Sequence, residues 1–387
     1  MCQHRRVILA FAAAVLLLAA ALHVYVWWRL VRSTTEPGPW RRAGTLALVV
    51  LTLLVPGALV GTRALPQRLG EPIGWIGYLW LAVLFYLLIA LVVTELPRAI
   101  ANRRIPSPSR RRFLARSLAA GSLVAAGGTV AYGVKEAAGP VGVTRVPVTL
   151  GKLDPALDGF TIGLIADVHL SAVQHGSLLP DVVRTLNGLK PGLVAVVGDL
   201  VDGSVAQLGH AAHPLADLRT EHGVYFVTGN HEYISGAEQW VRFLPSLGVR
   251  VLRNERIRIE QNGAAFDLAG IDDRTAASSG VPGHGANLGR ALAGRDTSVP
   301  VVLLAHQPVM FADSAKHGVD LQLSGHTHGG QLVPFNWLVR LDQPVVAGRG
   351  RIGTSQLYVT RGVGTWGPPV RVGAPPEITL IELRAPR

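Results

Sequence analysis

The sequence predicts an α/β (α+β) domain preceded by an α-helical transmembrane region of three to four spans. Three observations predict it. Residues 7–28, 44–62 and 73–94 are uncharged, and each run is long enough for a helix to cross a bilayer, which takes about 20 apolar residues. From Phe160 the texture changes to short apolar runs alternating with helical patterns and Gly/Asp turns, as in an α/β domain. Five of those short runs end in Asp, Asn or His.

The membrane region occupies residues 1–116. A fourth uncharged stretch, 117–134, is rich in Gly and Ala and reads as a fourth span or signal-anchor. Hydrophobic residues make up 49% of the chain, above the norm for a soluble enzyme. Tyr25, Trp27, Trp28, Trp75 and Trp80 lie at or towards span ends, as interfacial aromatic belts do. The net charge of +12 first suggests nucleic acid, but its distribution removes that reading. The first 135 residues carry 16 Lys and Arg against three acids, which leaves 21 against 22 for the remainder. No nucleic-acid partner is expected; the basic excess belongs to the membrane region.

Orientation follows from the arginines. With the N-terminus outside, 11 arginines between Arg29 and Arg116 fall in inner segments, and four (Arg5, Arg6, Arg63, Arg68) fall outside. A crossing at 117–134 then delivers the following domain outside, giving a multi-pass plasma-membrane protein with an extracytoplasmic domain. Ser109-Arg110-Arg111-Arg112-Phe113-Leu114 resembles the bacterial twin-arginine export signal, here inside a basic loop. Residues 135–159 read as a linker and first strand.

Within 160–387 the polar strand ends come in order. Phe160 to Ala166 leads into Asp167-Val168-His169, and Leu193 to Val197 leads into Gly198-Asp199-Leu200-Val201-Asp202. Val224 to Thr228 leads into Gly229-Asn230-His231-Glu232, Val299 to Ala305 into His306, and Val319 to Ser324 into Gly325-His326-Thr327-His328-Gly329-Gly330-Gln331. Helices are expected over 178–190 and 237–247. Ligands of α/β sheets bind at the carboxyl ends of strands, so five reactive ends predict one shared site. The single cysteine, Cys2, excludes a cysteine-rich zinc site, so metal ligands must be His, Asp, Glu or Asn.

The order Asp-x-His, Gly-Asp-x-x-Asp, Gly-Asn-His-Glu, a lone His, then Gly-His-x-His resembles the calcineurin-like metallophosphoesterases over residues 160–331. The attached spans resemble the membrane-anchored bacterial branch of that superfamily. The resemblance implies a four-layer αββα sandwich and a dinuclear metal site in a catalytic domain at 160–387. It assigns Asp167, His169 and His328 to one metal, Asn230, His306 and His326 to the other, and Asp199 to the bridge between them. His231 is then the general acid and Asp202 the group that orients it. A set of imidazole and oxygen donors suits Mn, Fe or Zn better than Mg or Ca.

The activity implied is metal-assisted hydrolysis of a phosphomonoester or phosphodiester, on an envelope or lipid-linked substrate beside membrane lipid. Alternatives are a pyrophosphatase of nucleotide-linked lipid precursors, which needs a cytoplasmic domain, and a metal-dependent sensor of a phosphate ligand, which has no need of a general acid. Oligomeric state is not legible. Asp272-Asp273-Arg274 reads as a surface turn with a local ion pair, Glu232 as a supporting or helix-start acid, and His175 as a loop histidine near the site. His23, His210, His213, His222, His284 and His317 read as structural.

Overall fold

A computed structural model describes residues 17–174 and 176–386. The chain divides into two compact units, Met1–Val134 and Lys135–Arg387. His175 and residues 1–16, which include the start of the first expected span, lie outside the described residues.

In the membrane unit, residues 17–27 are helical and Trp28–Arg32 continue as a π-turn. Helices follow at Pro39–Ala64, Gln67–Val93, Glu95–Arg104 and Pro108–Ala137. Three segments among the described residues are long and apolar enough to cross a membrane: Pro39–Ala64, Arg68–Val93 and Pro108–Ala137. These helices outrun the uncharged stretches because arginine is itself a good helix former. The Arg110–Arg112 cluster therefore sits in the first turn of a 30-residue helix, not in the loop expected from charge alone. Gly77 lets two helices approach closely: a Cβ there would lie 2.5 Å from the Leu54 carbonyl oxygen and 2.6 Å from Ala58 Cβ. His23 is buried and accepts from Trp80 Nε1 at 3.1 Å, a helix-to-helix contact. Arg29 is also buried, ion-paired with Glu95.

Among its described residues the second unit contains twelve strands: β1 (Gly142–Thr149), β2 (Thr161–Ile165), β3 (Leu193–Val197), β4 (Val224–Val227), β5 (Val249–Val251), β6 (Glu255–Gln261), β7 (Ala264–Gly270), β8 (Val301–Leu304), β9 (Leu321–Ser324), β10 (Gly348–Ile352), β11 (Ser355–Val359) and β12 (Glu377–Arg384). They form two six-stranded sheets, ordered β1-β12-β2-β3-β4-β5 and β10-β11-β9-β8-β7-β6. The parallel cores β2-β3-β4-β5 and β7-β8-β9-β11 are edged by antiparallel pairings, β12 with β2, β6 with β7 and β10 with β11. The segment before Phe160 supplies β1, which pairs in parallel with β12 near the C-terminus, so both ends of the unit close one sheet.

Alternation along each strand explains the layers. Leu193, Ala195 and Val197 face the other sheet with Val302, Leu304, Leu321 and Leu323. Val194 and Val196 face the opposite way, onto Leu179, Val182, Val183 and Leu186 of the helix Leu178–Leu189 and onto Trp240 of Ala237–Phe243. Val301 and Leu303 likewise pack on Leu288 and Ala291 of a short helix. The result is the expected four-layer αββα sandwich of mixed sheets. Each such fully buried aliphatic side chain contributes about 1.5–3 kcal/mol over its exposed state, and strands buried on both faces read as continuous apolar runs.

Candidate metal centre

The carboxyl ends of β2, β3, β4, β8 and β9 converge, and each of the five polar strand ends arrives at one place. Asp167, His169, Asp199, His326 and His328 all adopt left-handed backbone conformations, with φ of 54°, 49°, 52°, 73° and 50°. Asp and His tolerate that region better than most residues, yet five instances in one site mark strain held by the surrounding structure. That structure is visible. Asp167 N donates to the Gly198 carbonyl (3.1 Å) and His169 N to that of Asp199 (3.0 Å), locking the loop after β2 to the loop after β3. Gly229 must be glycine because a Cβ would stand 2.2 Å from Asp199 Oδ1.

Three ligand-type clusters lie within the site: Asp167, His169 and His328; Asp199, His306 and His326; and His169, Asp202 and His231. His306 Nδ1 lies 2.8 Å from the Val197 carbonyl oxygen, which can only accept, so Nδ1 carries a proton and Nε2 is the ring nitrogen turned to the site. Nε2 faces Asp199 Oδ2 at 3.1 Å and Asn230 Oδ1 at 3.2 Å. Those two oxygens are satisfied by a proton on Nε2 or by a cation that takes its place. The other cluster repeats the arrangement: His169 Nδ1 faces the Asp202 carboxylate at 3.2 Å, while its Nε2 meets His328 Nε2 at 3.0 Å and lies 3.8 Å from Asp199 Oδ2. The donor set therefore fits divalent cations, and all seven residues singled out in the sequence come together.

Burial lowers the His306 imidazole, but the Asp199 carboxylate beside it outweighs burial and raises it well above its usual value, so a cation bound there would displace the Nε2 proton. Burial, followed by the charge of His306, holds the His326 imidazole down at about 3, and burial followed by His169 holds that of His328 well below its usual value. Both are neutral and able to coordinate. Burial also pushes the Asp167 carboxyl up to about 6. Asp202 is shifted the other way: its burial is outweighed by His169 and His231, which keep it ionised. Burial lowers the His231 imidazole, but Asp199 and the hydrogen bond to Asp202 outweigh it and raise it to about 9.

Other residues support the site; Glu232 and His284 do so as expected, Arg371 escaped the sequence reading, and Asp272 and Asp273 were read differently. The Glu232 carboxylate accepts from the amides of Gly229 (2.6 Å), Asp199 (3.0 Å) and Leu200 (2.8 Å), so it clamps the β3 and β4 loops together. Asp272 and Asp273 are buried, which corrects the surface-turn expectation: Asp272 pairs with Arg253 at 2.9 Å, and Asp273 accepts from Gln307, the neighbour of His306, at 3.0 Å. The exposed Arg274 lies 3.7 Å from Asp342. Arg371, fully buried, donates to the carbonyls of Gly364 (2.9 Å) and Ala374 (2.9 Å) and lies 3.3 Å from His328 Nδ1. It pins a C-terminal loop in which Gly362 presses on Asp167, where a Cβ would come within 2.6 Å of Asp167 Cβ. His284 bonds Tyr233 and Glu238 and is structural.

Fold and site together define a metal-dependent phosphoesterase: the calcineurin-like phosphoesterase family matches residues 160–330, and the chain belongs to that family. The likeness extends to the membrane region in a zebrafish (Danio rerio) transmembrane protein with a metallophosphoesterase domain, which is 33% identical over 97% of this chain and 89% of its own length. A bovine (Bos taurus) protein of the same description is 38% identical over 74% of this chain and 66% of its own. An uncharacterized metallophosphoesterase of Helicobacter pylori is 35% identical over 71% and 73% respectively.

Proposed function

We propose that the protein is a membrane-anchored dinuclear phosphoesterase that hydrolyses a phosphomonoester or phosphodiester of an envelope or lipid-linked molecule. The observation that carries this reading is the position of Asp199, with Oδ2 3.1 Å from His306 and 3.8 Å from His169, where one carboxylate touches both ligand clusters. Asp167, His169 and His328 would hold one cation, and Asn230, His306 and His326 the other. Manganese, iron or zinc bound there would supply Lewis acidity to the phosphoryl oxygens and to water. His231, kept protonated beside Asp202, gives a proton to the leaving oxygen. Asp202 Oδ1 contacts Nδ1 of both His231 and His169, so one carboxylate orients the acid and a ligand together.

Stripping the full-length protein with chelator should abolish hydrolysis of paired aryl phosphate mono- and diesters. Adding back manganese, iron or zinc should restore it, and the preferred ester gives the bond type. Full activity in metal-free protein would overturn this reading.

The 11-to-4 arginine asymmetry, together with a crossing by Pro108–Ala137, supports an extracytoplasmic catalytic domain in the plasma membrane, exported through the arginine cluster that opens that helix. Protease added to intact cells should then digest residues 160–387. Protection until the cells are lysed would place the domain in the cytoplasm.

A further inference from the structure

Among the described residues of the catalytic unit, eight large hydrophobic side chains are exposed. Six of them sit on three short segments that carry or touch the metal centre. Ile234, 62% exposed, is on the helix Asn230–Ser235 that presents His231. Trp366, 50% exposed, has its ring centroid 6.4 Å from that of His231. Phe335, Trp337, Leu338 and Leu341 occupy the helix Asn336–Val339 and its flanks. That helix lies against the turn bearing His328, so closely that a Cβ on Gly330 would lie 2.4 Å from Asn336 Cβ. Gln331 joins two of the segments, donating to the Trp366 carbonyl at 3.0 Å and accepting from Trp366 N at 2.8 Å.

A centre built for a charged phosphoryl group has no chemical use for an apolar border when its substrate is a small soluble phosphate. Exposed apolar patches beside a site mark the contact of a ligand or a membrane. Trp, Phe and Leu beside an exposed arginine, here Arg340, are the composition of a helix that lies in a lipid interface, where the arginine complements anionic headgroups. Only residues 138–141 separate the span Pro108–Ala137 from β1, and the extended chain covers about 15 Å over that length. The chain thus keeps this domain near a bilayer.

We infer that the apolar rim formed by Ile234, Phe335, Trp337, Leu338, Leu341 and Trp366 docks on the bilayer surface, and that the phosphoester is presented by an amphiphilic lipid whose tail stays in the membrane. The lipid half of this inference rests on the phosphoesterase reading above; the docking half does not.

The test uses full-length protein in nanodiscs containing phosphatidylglycerol, with Cys2→Ser as background. Spin labels at Trp337→Cys and Leu341→Cys should be accessible to oxygen and shielded from a water-soluble nickel chelate. A label at Arg184→Cys, on a side chain 77% exposed, should show the reverse. Equal exposure of all three labels to the chelate overturns the docking surface. Leu338→Glu/Leu341→Glu should lower turnover of a lipid phosphoester in the disc about tenfold while leaving a soluble aryl phosphate within about twofold. Equal effects on the two substrates, or a wild type that cleaves the aryl ester and not the lipid ester, overturn the lipid assignment. A wild type inert on both esters counts against the phosphoesterase reading, and label depth then decides the rim by itself.

Discussion

Asp199→Asn should lower turnover by about a thousandfold, roughly 4 kcal/mol of transition-state stabilisation, and reduce the bound metal from two ions per chain towards one. Asparagine keeps the shape of the side chain and an oxygen able to accept from His231 N, now 2.8 Å from Asp199 Oδ1. The change is therefore one of charge at the atom that touches both clusters. Two divalent cations held close together repel strongly unless an anion lies between them, and among the described residues Asp199 is the carboxylate shared by the His169 and His306 sides. Elemental analysis of gel-filtered protein, alongside kcat and the unfolding midpoint, separates this from misfolding. Retention of two metals with full turnover would remove Asp199 from the bridge.

The legibility of that residue has a physical basis. A strand buried on both faces must be apolar throughout, so Leu193 to Val197 is a bare run, and the first polar groups after it can only be at its end. The same logic exposes Asp167, Asn230, His306 and His326, because parallel strands put all their carboxyl ends on one side. What holds those residues is less legible. Arg371 acts through main-chain carbonyls on residues 361–374, a partner type that leaves no sequence pattern, and it follows His328 by more than 40 positions. Asp272 and Asp273 looked like a surface turn because local composition reports polarity; their burial depends on Arg253 and Gln307, which tertiary structure brings in from the loops after β5 and β8. The spans show the same limit. Hydropathy reports which residues avoid water and does not say where a helix starts, so the arginines at the head of Pro108–Ala137 passed for a loop.

His231→Ala should cost about 10²- to 10⁴-fold in kcat on an alkyl phosphoester and far less on a nitrophenyl ester, with both metals retained. An alkoxide is a poor leaving group that needs a proton as the bond to phosphorus breaks, whereas nitrophenolate leaves unaided. The asymmetry between substrates therefore reports the proton donor and would not arise from a general loss of structure. His231 lies next to Asn230 in sequence, and its ring Nδ1 is turned to Asp202, which leaves Nε2 as the atom to give the proton. Asp202→Asn supplies the contrast. Its Oδ1 also contacts His169 Nδ1 at 3.2 Å, so that variant should lose metal affinity as well as acid function, an effect of about 10- to 100-fold for the partner of a ligating histidine. Equal losses on the alkyl and nitrophenyl esters in His231→Ala would mean that His231 binds the phosphoryl group instead of protonating the leaving oxygen. Metal loss in that variant would mean that the imidazole also supports the cluster of Asp167, His169 and His328, whose His169 ring stands edge-on to it at a centroid distance of 4.6 Å.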